Sequence, residues 1–162
     1  MNVVFLLLVV VLIAAVGLSA LLKARPPKRP SLPYKKRDYL LTAAERSFYE
    51  VLQTVVDNQL HVFPKIRLVD LLYLPKGTEN RQAHMNRVQS KHVDFVLCDL
   101  QNVRPLLVIE LDDSSHERED RKDRDAFVDQ ALEDAALPIL HVPANRTYAP
   151  KELADLIEAK LH

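Results

Sequence analysis

Residues 92–116 read HVDFVLCDLQNVRPLLVIELDDSSH, two apolar runs with acids set where buried strands ordinarily carry none. Val93, Phe95 and Leu97 alternate with His92, Asp94, Val96 and Cys98, while Leu107, Ile109 and Leu111 alternate with Leu106, Val108, Glu110 and Asp112. That is the period of two by which successive strand side chains point to opposite faces. One face is wholly apolar. The other is apolar near the turn and acidic at the far end, which predicts a sheet covered on both sides with its charges at one edge of the core. Asp99, Gln101, Asn102 and Pro105 supply turn chemistry between the strands.

A hairpin symmetric about Asn102 sets Asp94 directly across from Glu110, and opposed pairs have Cβ atoms about 4.5 to 5.5 Å apart. Asp112 follows on the same face. Three such carboxylates repel one another unless a cation sits among them, and an oxygen-rich cluster suits Mg²⁺ or Mn²⁺. Asp94, Glu110 and Asp112 are therefore the expected metal ligands. The plainer alternative has Asp112 and Asp113 ending the strand and solvating the turn, with Asp94 as a strand-end acid.

HVDFVL followed by IELDDSSH, with LTAAERSFYEVL upstream and RDAFVDQAL downstream, resembles the domain of unknown function 2726. That family is grouped with the PD-(D/E)XK, or restriction-endonuclease-like, nucleases. The resemblance runs from about Leu40 to Leu161. Its most specific piece, Asp94 followed by Glu110-Leu111-Asp112 and His116, is similar to the E-x-D-G-x-x-H pattern of very-short-patch-repair-like endonucleases. The chain departs from the usual pattern twice. Asp112 replaces the lysine of E-x-K, the residue that ordinarily transfers a proton and stabilises charge, and Asp113 replaces the glycine after E-x-D. The resemblance implies an αβββαβ core and Mg²⁺-dependent hydrolysis of phosphodiesters in DNA. Bacterial origin is implied by the resemblance alone.

His116, in the turn beyond the acidic strand end, is a candidate proton carrier or ligand of metal-bound water, its plainer role being a surface histidine. Lys91 is the lysine nearest in sequence to Asp94, an imperfect substitute for the missing one because strict alternation points it to the opposite face. Arg124 and Asp125 resemble family positions on the second helix and serve equally as a salt-bridged helix surface.

Upstream, Thr42 opens a predicted helix to about Val56 with Phe48, Val51, Leu52, Val55 and Val56 on one stripe. Thr42-Ala43-Ala44-Glu45 is also a capping-box pattern, so Glu45 is either a cap or an additional metal-site acid. His61 to Leu72 reads as a strand with an irregularity at Pro64, best placed at a sheet edge. Tyr73 to Lys91 lacks sustained periodicity and reads as a solvated loop. Its Lys76, Arg81, Arg87 and Lys91 make it the most basic part of the domain and the candidate for phosphate contact with DNA.

Downstream, Glu117 to Ala136 has helical spacing, and Pro138 stops it. Ile139 to Val142 is a short strand, expected parallel to Leu106–Asp112 through a right-handed crossover. Pro150 to Leu161 is a final amphipathic helix. The predicted fold is α/β, a restriction-endonuclease-like αβββαβ core with a C-terminal helix, preceded by one N-terminal transmembrane helix.

Composition adds the rest. The 162 residues carry 22 basic and 22 acidic side chains, but seven basic residues lie between Lys23 and Arg37, where no acid occurs. Residues 38–162 thus hold 15 basic against 22 acidic residues, a net of seven negative charges that repels a DNA backbone. Val3 to Leu22 is an apolar run broken only by Gly17 and Ser19, long enough to span a bilayer as a helix. Lys23, Arg25, Lys28 and Arg29 follow it and no basic residue precedes it, so the positive-inside rule puts the N-terminus out and the C-terminal domain in the cytoplasm, which with the origin the resemblance implies means the bacterial inner membrane. A cleaved signal peptide wants a basic leading region and a shorter core. The expected division is an anchor (1–23), a basic Pro-rich tether (24–39) that holds the domain off the membrane while touching anionic headgroups, and a nuclease-like domain (40–162). Lone Cys98, inside a strand, suits a reducing compartment and a core position. No internal repeat, Gly-rich phosphate loop or zinc-spaced Cys/His set is present.

Two functions of different class follow. One is a membrane-tethered Mg²⁺-dependent nuclease; the other is a non-catalytic nucleic-acid-binding or scaffold module that keeps the fold.

Overall fold

The computed structural model describes residues 2–23, 29–112, 119–145 and 147–162, with the backbone alone at 22–23 and 119–125. The chain divides into two compact units, Met1–Asp38 and Tyr39–His162. In the first unit α1 (Val3–Lys23) is a single helix whose window Val3–Leu21 is long and apolar enough to cross a membrane. Residues 29–37 continue as exposed, irregular backbone.

The second unit opens with α2 (Ala43–Val56). Thr42 starts it with the expected capping box: the Thr42 hydroxyl accepts from the Glu45 amide (3.3 Å) and the Glu45 carboxylate accepts from the Thr42 amide (3.0 Å). Strand β1 (His61–Arg67) follows and ends earlier than its apolar sequence suggests, because Leu68, Leu71 and Leu72 turn into the one-turn helix α3 (Leu68–Leu71). Their i, i+3, i+4 spacing puts all three into one cluster, which a continued strand would split between faces. The polar stretch after it is likewise more ordered than a loop. Helix α4 (Arg81–Val88) buries no side chain fully and has no apolar stripe, so hydrophobic periodicity gives it no signal. Arg81 secures its start by donating to the Leu74 (2.9 Å) and Pro75 (3.3 Å) carbonyls.

The central hairpin is β2 (His92–Cys98) and β3 (Pro105–Asp112), antiparallel, with Phe95 opposite Ile109 and Leu97 opposite Leu107. Asp99 ties its tip by accepting from the Asn102 amide (2.6 Å) and the Arg104 guanidinium (2.7 Å). Helix α5 (Glu119–Asp134) crosses over to β4 (Ile139–Pro143), which runs parallel to β3, and α6 (Pro150–Leu161) closes the chain. Strand order is β1-β2-β3-β4.

Two apolar clusters sandwich this sheet. Phe48, Leu52, Leu153 and Ile157 bring α2 and α6 against Phe95, Leu97, Leu107 and Ile109. Leu68, Val128 and Leu132 bring α3 and α5 against Val93, Val96 and Val108. Fully buried Phe48 contacts the rings of Phe95 and Tyr148, with centroids 5.4 and 4.9 Å away, and fixes where α2 lies on the sheet. Burying such a side chain contributes about 1.5 to 3 kcal/mol.

Candidate functional site

The alternation of β2 fails at one place. Phe95 and Leu97 join the α2/α6 cluster and Val96 and Cys98 the α5 cluster, as alternation demands, but Val93 joins the α5 cluster too. The break falls on Asp94. Opposite it in β1, between the pairs Pro64–Phe95 and Ile66–Val93, stands Lys65 in the left-handed conformation (φ 57°). A non-glycine residue held there costs on the order of 1 kcal/mol or more and re-aims its side chain.

The side chain is aimed at two acids. Lys65 Nζ donates to Glu45 Oε1 (2.7 Å) on α2 and to Asp94 Oδ1 (3.0 Å) on β2. Neither carboxylate is left with an idle oxygen. Glu45 Oε2 accepts from the Thr42 amide, and Asp94 Oδ2 accepts from the Leu111 amide (3.0 Å) of β3. One ammonium and two carboxylates therefore tie α2, β1, β2 and β3 together. Burial works against the ammonium, but the hydrogen bonds and charges of Asp94 and Glu45 outweigh it and raise the Lys65 pKa above its ordinary value.

Glu110 extends the site from β3. The register that pairs Phe95 with Ile109 sets half-buried Glu110 opposite Asp94. Asp112 is held elsewhere: its Oδ1 lies 3.1 Å from His141 Nδ1 on β4, and His141 Nε2 lies 3.1 Å from Asp129 Oδ1 on α5. Among the described residues no three His, Cys, Asp or Glu side chains form a metal-sized group. His116 and Asp113 lie outside the described residues, and of Arg124 and Asp125 only the helical backbone is described. Lys91 Nζ sits 5.3 Å from the Phe127 ring centroid, with the Arg87 guanidinium 3.9 Å from the same centroid, and the lysine beside Asp94 is Lys65. Lys76 is exposed on the turn before α4.

Two residues escape sequence reasoning here. Lys65 gave one faint signal, a charge beside Pro64 in an otherwise apolar strand, and its reach depends on a backbone angle that lysine does not advertise. His141 gave another, a polar side chain between Leu140 and Val142 in a strand expected beside the acidic one.

As placed, Glu45 and Asp94 close on an ammonium; they would turn oxygen ligands to a cation only if Lys65 withdrew from between them. Its four-carbon stem permits that movement.

Fold and site together define a mixed α/β domain whose four-stranded sheet, flanked by helices, carries an acid–lysine network at the open end of its hairpin. Over residues 37–161 the chain belongs to the family described as Protein of unknown function (DUF2726). No curated protein and no solved structure matches it.

Proposed function

We propose that residues 40–162 form a PD-(D/E)XK-like domain that hydrolyses phosphodiesters in DNA with Mg²⁺, tethered to the cytoplasmic face of a bacterial inner membrane by α1. The observation that carries this reading is the convergence of Glu45 and Asp94, from separate elements, on Lys65 beside the Glu110 strand. Asp94, Glu110 and Glu45 would hold the ion, which supplies charge neutralisation at the phosphate and an activated water. Lys65 stands in for the lysine that Asp112 replaces. A lysine is an ammonium at neutral pH, so it would stabilise negative charge or give a proton to the leaving oxygen and would not act as a base. Asp112 and His116 remain the candidates for a further acid and a proton carrier at the strand end. Helix α4 would offer Arg81 and Arg87 to backbone phosphates, with Lys76 on the turn before it and Lys91 after it.

Incubating residues 38–162 with plasmid, linear and single-stranded DNA, with and without Mg²⁺ or Mn²⁺, tests the reading. Metal-dependent cleavage that disappears in Asp94→Ala and Glu110→Ala is expected. Absence of cleavage together with absence of any metal-induced rise in melting temperature overturns it.

One observation favours a scaffold module instead. Every carboxylate oxygen of the Glu45–Lys65–Asp94 network has a donor from the protein itself, as a structural brace would. In that case the domain binds its partner without consuming it, and millimolar metal leaves its stability unchanged.

A further inference from the structure

The segment just before the domain presents apolar and cationic side chains together. Leu32 and Tyr34 are 73% and 82% exposed, and Lys35, Lys36 and Arg37 follow at once, all exposed. Among the described residues no ion pair engages those three cations. Such a segment is out of place in water and well suited to a membrane interface, where tyrosine sits at headgroup level and basic side chains meet anionic lipid.

We infer that residues 32–37 are a second, interfacial membrane contact that takes anionic phospholipid headgroups through Lys35, Lys36 and Arg37 while Leu32 and Tyr34 enter the acyl boundary. The inference rests on α1 being a membrane span. Eight residues, three of them proline, lie between α1 and Leu32 in the sequence. Proximity favours lipid over nucleic acid as the occupant, because only eight residues separate Leu32 from the apolar helix α1 that the inference takes as the span. Only Asp38 separates Arg37 from the domain that opens at Tyr39.

The chain contains no tryptophan, so Tyr34→Trp in the full-length protein installs a single reporter. The variant is reconstituted into phosphatidylcholine vesicles with and without phosphatidylglycerol, and with acyl-brominated lipid as quencher. With phosphatidylglycerol, the Trp emission should shift to the blue and be quenched by brominated lipid. Both effects should vanish in 1 M salt, where the screening length falls to about 3 Å, and in a chain also carrying Lys35→Gln, Lys36→Gln and Arg37→Gln. Carbonate-resistant flotation reports α1 separately. Flotation with emission that stays that of indole in water overturns the interfacial contact and leaves the span intact; loss of flotation overturns both. A blue shift with single-stranded DNA where anionic vesicles give none replaces the lipid contact with a nucleic-acid arm.

Discussion

Two places in this domain solve the same electrostatic problem, a basic side chain caught between two carboxylates, and they solve it in different surroundings. Lys65 of β1 bridges Glu45 and Asp94. His141 of β4 bridges Asp112 and Asp129. Around Lys65 the acids are 12% and 15% exposed; around His141 they are 57% and 45% exposed. Water therefore screens the second cluster and barely reaches the first. The lysine also holds its charge at any pH the cell meets, whereas an imidazole is the side chain whose ordinary range lies nearest physiological pH, and Asp112 and Asp129 raise that of His141. The first cluster is built to hold charge in place, and the second to let it change.

The largest expected effect is at Lys65. Lys65→Met leaves two half-buried carboxylates facing each other without a cation, and should destabilise the domain by about 2 to 3 kcal/mol, read from the urea midpoint. If the site takes metal, Mg²⁺ should restore most of that loss and bind the variant more tightly than wild type. A loss that metal does not touch assigns the network to the brace.

Asp94→Asn comes next, at about 1 to 2 kcal/mol, because the residue accepts from both Lys65 and the Leu111 amide. Three bare acids lead one to expect that deleting one relieves repulsion and stabilises the metal-free fold. The ammonium between them reverses that sign. Chemical denaturation without metal decides between the two, and a stabilised variant would dissolve the contrast between the clusters.

His141 gives a smaller effect that depends on pH. Burial disfavours its protonation, but hydrogen bonds and charge from Asp112 and Asp129 outweigh that and raise its pKa above the ordinary imidazole value. A folded pKa above the unfolded one means that protonation favours the fold. The contribution is complete below the unfolded value, about 6.5, and fades as pH rises through the folded value. Screening at this exposed cluster keeps it below about 1 kcal/mol. The stability difference between wild type and His141→Gln should accordingly shrink from acidic to mildly alkaline pH. A difference independent of pH would show that the ring does no more than pack.

The smallest effect belongs to Asp112→Asn, within about 0.5 kcal/mol for an exposed substitution. Calorimetric titration of Mg²⁺ is the sharper measurement. Equal affinity in variant and wild type places Asp112 wholly in the His141 cluster, and reduced affinity places it in the Lys65 site as well.

What the sequence discloses here is what repeats along it. The register that sets Glu110 against Asp94 follows from a turn centred on Asn102 and two runs of period two. The cap at Thr42 follows from residue types at fixed spacing. Helix α4 has neither cue, because a polar helix held by Arg81 and a few carbonyls shows no stripe. The pairing of Glu45 with Asp94 was hidden for another reason: it is made by Lys65, twenty residues from one acid and twenty-nine from the other, through a backbone angle set by the strand around it. The Asp112–His141–Asp129 cluster was hidden likewise, since its members meet only when β4 docks beside β3.

Strand β1 lies at the rim of the sheet, and its middle is Pro64-Lys65. Proline offers no amide to a visiting strand, and the left-handed turn at Lys65 throws the next amide and carbonyl out of line. Copies tethered in one bilayer, as the proposed function has them, would meet far more often than free molecules do, and a flat, open rim would let them zip together. The kink that delivers Lys65 to its acids denies a neighbouring chain that template, so the same two residues that arrange the site also blunt the edge of the sheet.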